Sequence, residues 1–162
     1  MNAKLVHYYF GTKEELFSAC ISETFLNEGL AELLTSIPNT DEESLGTRYL
    51  LKVLSIMENP QLGPIYISII RSLGASEESR RVFHGFLNDV IFDTLLPALE
   101  TDNPVLRLTL MGSQIIGLIT TRYILELGPL AELSKEQVAA LIGPTLDHYL
   151  IDPCDMSSNK NH

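Results

Sequence analysis

Lys13 and the aromatic run ahead of it are the residues whose types and spacing best suit binding to an anion. The run His7–Phe10 is followed by a turn at Gly11 and then by a helix start. Thr12 is a favourable N-cap, and Glu15 three positions later completes a capping box. Lys13 lies in the first helical turn, where the positive end of the helix dipole makes a cation slightly unfavourable. A lysine at this position is expected to serve an outside partner, and a phosphate is the obvious one.

This stretch resembles the end of the helix-turn-helix in TetR-family transcriptional repressors. Their recognition helix ends in a run like Leu-Val-His-Tyr-His-Phe-Gly-Ser-Lys-Glu-Glu-Leu, and residues 5–16 here are Leu-Val-His-Tyr-Tyr-Phe-Gly-Thr-Lys-Glu-Glu-Leu. Tyr9 stands where the family often has histidine, which puts the base preference in doubt. The resemblance implies DNA binding by Lys4, His7, Tyr8, Tyr9 and Lys13.

A helix-turn-helix also requires two helices ahead of this run, about 30 residues with their turns. Only three residues precede Lys4 in the sequence. Residues 1–11 are therefore expected to be a remnant of the recognition helix, left by a truncation, a misassigned start or a fragment. The alternative is that the aromatic run is an ordinary buried cluster near a terminus.

The distribution of charge restricts any DNA contact to the N-terminal residues. The chain has 162 residues, 45% of them hydrophobic and 20% charged, with a formal net charge of −10. Residues 1–13 carry +2, and residues 14–162 carry −12. An acidic body does not attract nucleic acid, so operator DNA is a partner only through the N-terminal part of the molecule.

The same composition favours a single soluble domain in the cytoplasm. Cys20 and Cys154 are far apart in sequence and are expected to be reduced thiols. The most apolar stretch is the 14 residues between Arg107 and Arg122. It falls short of the roughly 20 residues that a membrane span requires, and no signal peptide is expected.

Apolar residues recur at helical spacing throughout the chain, which predicts an all-α fold. N-caps are predicted at Thr40, Ser76, Asn103 and Ser134. The predicted helices cover residues 13–34, 40–57, 63–73, 76–97, 104–127 and 134–151. The resemblance makes this a TetR-like helical bundle, with a ligand-binding and dimerisation domain over residues 12–151 and a disordered tail over residues 152–162.

The last two helices indicate self-association, because the helix from Pro104 is apolar on two faces and carries small residues along one seam. TetR-like proteins form a four-helix bundle across a two-fold axis with these helices, so a homodimer is expected. A central helix in a monomeric core is the alternative. The predicted interface residues are Leu110, Ser113, Gly117, Thr120, Ile124, Leu141 and Leu146.

Aromatic and flexible apolar residues in the middle of the chain suit a cavity for a small apolar ligand. Gln114 is predicted to be the polar anchor of that cavity. The alternative is that these residues only fill the core. The apolar candidates are Met57, Tyr66, Ile70, Phe83, Phe86, Met111 and Ile115.

Nothing in the sequence favours an enzyme or a cofactor. The four histidines lack partners at metal-ligand spacing, and no glycine-rich phosphate loop appears. The sequence therefore predicts a ligand-responsive repressor of TetR type that binds operator DNA as a dimer. A helical dimerisation protein without a DNA role and a small-molecule carrier remain as alternatives.

Overall fold

The computed structural model describes residues 13–35 and 44–153. All regular structure in these two ranges is helical, which confirms the prediction of an all-α fold. The α-helices are α1 (Lys13–Leu26), α2 (Leu30–Thr35), α3 (Leu45–Met57), α4 (Gly63–Ser72), α5 (Glu77–Leu87), α6 (Pro104–Ile119) and α7 (Lys135–Leu150).

Four shorter segments complete the helical path of the described residues. α5 continues into a π-helix over Asn88–Leu95 and a 3-10 turn over Leu96–Ala98, and α6 continues into a π-helix over Thr120–Ile124. A 3-10 turn at Leu130–Glu132 precedes α7. The continuous helices predicted over residues 76–97 and 104–127 therefore change their hydrogen-bonding pattern part of the way along, which hydrophobic periodicity does not reveal.

The helix predicted over residues 13–34 is two helices. Gly29 separates them with a φ of 79°, a left-handed conformation that glycine adopts without strain. Its N–H donates to the Leu26 carbonyl at 3.0 Å and closes the end of α1. The chain can therefore turn between α1 and α2.

Side-chain caps fix the starts of most of the longer helices. Ser76 accepts a hydrogen bond from the Ser79 N–H at 3.1 Å, as predicted. Ser134 and Gln137 form the predicted capping box before α7. The cap of α3 is Ser44 and not Thr40, which lies outside the described residues. Asn103 precedes α6 as predicted, but its side chain makes no cap bond because its backbone is left-handed.

The backbones of α3 and α7 touch where two glycines cross. A Cβ atom at Gly46 would meet the Gly143 carbonyl oxygen, and one at Gly143 would lie 2.5 Å from the Thr47 Cα. The Gly46 N–H also donates to the Asp147 carboxylate at 2.7 Å, which places an anion at the positive end of α3. These contacts fix the separation of the two helices.

Leu146 on α7 is fully buried and would lie 2.9 Å from a Cβ atom at Gly46. Its prediction as a dimer-interface residue is therefore wrong in this structure. Helical periodicity placed it on an apolar face of α7, but that face packs against α3 of the same chain. The core around it contains other side chains with no exposed area: Leu30, Leu50, Leu54, Leu95 and Val138.

A buried arginine closes the other end of α7. Arg107 is 1% exposed, and its Nη1 donates to the Tyr149 carbonyl at 2.8 Å and the Asp152 carbonyl at 3.0 Å. Its Nη2 pairs with Asp102 at 2.6 Å, and this partner holds the pKa of the Asp102 carboxyl below its ordinary value. A positive charge at the C-terminal end of a helix stabilises it, so Arg107 holds α6 and α7 in register.

The glycine crossing yields a stability prediction. Gly143→Ala should lower the free energy of unfolding by about 2 kcal/mol, because its Cβ would meet backbone atoms that move only if the helices separate. Gly112→Ala is the matched control, since nothing lies within 4 Å of the added Cβ. It should raise stability by about 0.5–1 kcal/mol through helix propensity. Urea denaturation checks both, and equal effects of the two changes would contradict the close contact.

Candidate ligand pocket

An apolar cavity of about 80 Å³ lies between α1, α3, α4, α5 and α6. Each helix contributes the face that its apolar periodicity turns inward, so the cavity is the unfilled centre of the core. The side chains around it are Ile21, Phe25, Tyr49, Val53, Met57, Tyr66, Ile69, Ile70, Phe83, Phe86, Leu87, Val90, Ile91, Met111, Ile115, Ile116 and Ile119, together with Gly112.

The structure brings seven of the eight predicted pocket residues to this cavity. Gln114 is the exception, because its side chain is exposed and borders a groove on the other face of α6. Gln114 directly precedes Ile115, and each residue turns the helix by about 100°, so the Gln114 side chain lies away from the side that carries Met111 and Ile115. It is not the polar anchor of the pocket in this structure.

Aromatic rings form one wall of the cavity. Phe25 contacts Phe86 edge to face with 5.1 Å between ring centroids, and it contacts Tyr66 in the same way at 5.7 Å. The Tyr66 hydroxyl donates to the Ile21 carbonyl at 2.6 Å, so its proton is already used within the chain. Burial and the charge of Glu28 raise the pKa of Tyr66 to about 12, which keeps the phenol neutral.

Tyr49 on α3 lines the cavity although it is not among the predicted pocket residues. It is 2% exposed, and burial raises the pKa of its phenol above the ordinary value. Ile21 and Phe25 on α1 also line the cavity and also lie outside the predicted set. Periodicity identifies the buried face of each helix, but it does not show which part of that face meets empty space.

The helix that follows the predicted recognition run is part of the cavity wall. α1 begins at the exposed Lys13 and supplies Ile21 and Phe25 to the pocket. Close contact holds α1 on α5: the Ser18 hydroxyl donates to the Val82 carbonyl at 3.1 Å, and a Cβ at Gly85 would lie 3.0 Å from the Ser18 Cβ. Lys4, His7, Tyr8 and Tyr9 lie outside the described residues.

A second concavity lies on the outer surface, between α6 and α7. It is an open groove of about 310 Å³ with small and polar walls that include Ser113, Gly117 and Thr145. Leu141 beside it is 68% exposed, and Leu106 is 46% exposed. Of the other predicted interface residues, Leu110, Thr120 and Ile124 are half-buried.

An ionic cluster fastens the far ends of α3 and α6. Glu58, directly after α3, accepts from Arg122 at 3.1 Å and from the Tyr123 hydroxyl at 2.9 Å. Arg122 also donates to the Leu130 carbonyl, at 2.6 Å. These bonds tie the π-helical end of α6 to the segment that leads into α7, which fixes the cavity wall and the outer groove relative to each other.

Two other kinds of feature are absent from the part of the chain that the structure describes. Within residues 13–35 and 44–153, no three histidine, cysteine, aspartate or glutamate side chains are grouped so that they could hold a metal ion. No helix of the described part of the chain is long and apolar enough to cross a membrane.

Comparison with known proteins gave one match. Residues 43–150 match the family model described as tetracyclin repressor-like, C-terminal domain. The matched range begins just before α3 and ends with α7, so it contains most of the cavity wall and the whole outer groove. No curated protein and no solved structure matched the chain.

The aromatic wall yields a prediction about packing. Phe86→Ala should lower the free energy of unfolding by about 3 kcal/mol, because it removes a ring that contacts Phe25, Tyr66 and Phe83. Phe92→Ala is the control, because that ring is 41% exposed. This control should lower the free energy of unfolding by less than about 1 kcal/mol. Chemical denaturation measures both, and similar losses would contradict the assignment of Phe86 to the core.

Proposed function

The chain belongs to the TetR family through its tetracyclin repressor-like C-terminal domain, and from this premise we propose that it is a ligand-responsive transcriptional repressor. In this proposal a small apolar molecule binds the core cavity, two copies associate through α6 and α7, and the recognition run ahead of α1 contacts operator DNA in the cytoplasm. The observation that carries the proposal is that α1 lines the cavity and also begins at Lys13.

Ligand binding would displace α1 because the cavity is small. Ligand sites in proteins usually measure about 300–1,000 Å³, whereas this one measures about 80 Å³. A bound molecule must therefore displace part of the wall. Met57 and Met111 can adapt their side chains, and in this proposal Ile21 and Phe25 yield through a shift of α1. A shift of α1 changes the position of any DNA-binding element that precedes Lys13.

Dimerisation would convert this shift into release from DNA. Recognition helices of a dimer must meet half-sites about 34–36 Å apart. A change in the separation of two α1 helices weakens both DNA contacts together. The exposed leucines beside the outer groove favour an association of α6 and α7 with a second copy, since large apolar side chains at a surface lose contact with water there.

The dimer prediction uses the open space at Gly117. Nothing lies within 4 Å of a Cβ placed there, so Gly117→Arg should leave the fold intact while placing a charged side chain on the proposed interface. We expect dimer for the wild type and monomer for this variant in analytical ultracentrifugation at tens of micromolar.

Gly74→Arg is the matched control for the dimer prediction, because a Cβ at Gly74 also meets nothing within 4 Å. It lies between α4 and α5 and should remain dimeric. A wild-type protein that sediments as a monomer would rule out dimerisation through this face.

The DNA prediction concerns Lys13, tested in a chain extended by the two helices that a helix-turn-helix requires ahead of Lys4. Lys13→Ala should weaken binding to all duplexes alike and reduce the salt slope of log K by about one unit per subunit. The control is Lys52→Ala, whose ammonium pairs with Glu28 at 3.8 Å on another part of the molecule. That change should leave the slope as it is.

Binding is measured on duplexes selected from a random library by the extended protein. If no duplex is selected, the repressor proposal fails and a dimerisation protein without a DNA role is favoured. An equal change of slope in the Lys13 and Lys52 variants would instead remove Lys13 from the DNA contact.

A further inference from the structure

The Tyr49 hydroxyl makes no hydrogen bond to any residue that the structure describes, and Tyr49 lines the core cavity. The Tyr49 side chain is only 2% exposed, and burial raises the pKa of its phenol. Buried hydroxyls are nearly always paired, because an unpaired one costs about 1–3 kcal/mol. Tyr49 lines the core cavity, so a molecule in the cavity is a natural source of the missing partner.

Tyr66 provides the contrast within the same cavity. Its hydroxyl donates to the Ile21 carbonyl at 2.6 Å, so its hydrogen-bond donor serves the fold. An ordered water is a poor partner for Tyr49, because a buried water needs about two to four polar partners. The side chains around the cavity offer hydroxyls only from Tyr49 and Tyr66, and all the others are apolar.

We infer that Tyr49 is the polar anchor of the ligand pocket, and that the ligand is an uncharged, compact, mainly hydrocarbon molecule with one hydrogen-bonding oxygen. The inference rests on the proposed ligand-binding function and specifies the chemistry of its site. No charged side chain is among the described residues that line the cavity. An ion would lose its hydration there without compensation, which excludes carboxylates and ammonium compounds.

Tyr49 also lies where ligand binding can affect the positions of other helices. Tyr49 is on α3, one turn after Gly46 and Thr47, whose backbone is fixed against Gly143 of α7. A ligand held by Tyr49 is therefore held by the helix whose backbone is in direct contact with α7. Its bulk then acts on the aromatic side of the cavity, where Phe25 connects the cavity to α1.

The test uses acetophenone and α-methylstyrene, which have nearly the same shape but carry a carbonyl oxygen and a methylene group at the same place. Calorimetric titration of the full chain gives the dissociation constant of each probe. Tyr49→Phe should weaken acetophenone about three- to tenfold, the worth of one neutral hydrogen bond, and leave α-methylstyrene unchanged. Tyr66→Phe is the matched control, and it should change the dissociation constants of the two probes by the same factor.

A second readout needs no ligand. Tyr49→Phe should keep or raise the melting temperature, because it removes an unpaired buried hydroxyl, whereas Tyr66→Phe should lower it by leaving the Ile21 carbonyl unpaired. An equal loss in both variants would mean that Tyr49 has a partner within the chain, which overturns the inference and leaves the proposed function standing.

The remaining outcomes are also decisive. If Tyr49→Phe weakens both probes equally or neither, the pocket binds ligands without this anchor, and only the inference fails. If the wild-type chain binds neither probe up to their solubility, the inference fails together with the ligand-binding part of the proposed function.

Discussion

The direct backbone contact between α3 and α7 is the constraint on which both surfaces of interest depend. Two glycines, Gly46 and Gly143, allow the helices to approach until only main-chain atoms separate them. α3 then presents Tyr49, Val53 and Met57 to the cavity, while α7 presents Leu141 outward beside the groove. The Arg107 cap and the Glu58 cluster hold α6 against this pair. The inner wall of the pocket and the proposed dimer face are therefore parts of one fixed unit.

The opposite side of the cavity is built differently. α1 is held by the Ser18 hydroxyl and by apolar and aromatic contacts, which have little directional preference. The π-helical segment Asn88–Leu95 supplies Val90 and Ile91 to the same side. π-Helical segments are frequently found at functional sites. A cavity with one fixed wall and one adaptable wall is suited to converting occupancy into movement of α1.

Much of this arrangement follows from the sequence by simple rules. Apolar periodicity predicts the helices, and the capping box of Ser134 and Gln137 predicts the start of α7. Seven of the eight predicted pocket residues lie on the cavity, because apolar periodicity identifies the inward face of each helix. Gln114 and Leu146 were misplaced, since a helix with two apolar faces does not show which face its own chain covers. The close approach at Gly46 depends on a partner about a hundred residues away, which no local pattern reports.

The central claim is that occupancy of the cavity moves α1, and the exposed Cys20 on that helix allows a direct measurement. Spin labels on Cys20 in a Cys154→Ser background report the distance between the two α1 helices of a dimer by pulsed dipolar spectroscopy. Saturating acetophenone should shift that distance by about 2 Å or more, the scale of helix movements at allosteric interfaces. An unchanged distance in a sample whose ligand binding is verified by calorimetry would contradict the account.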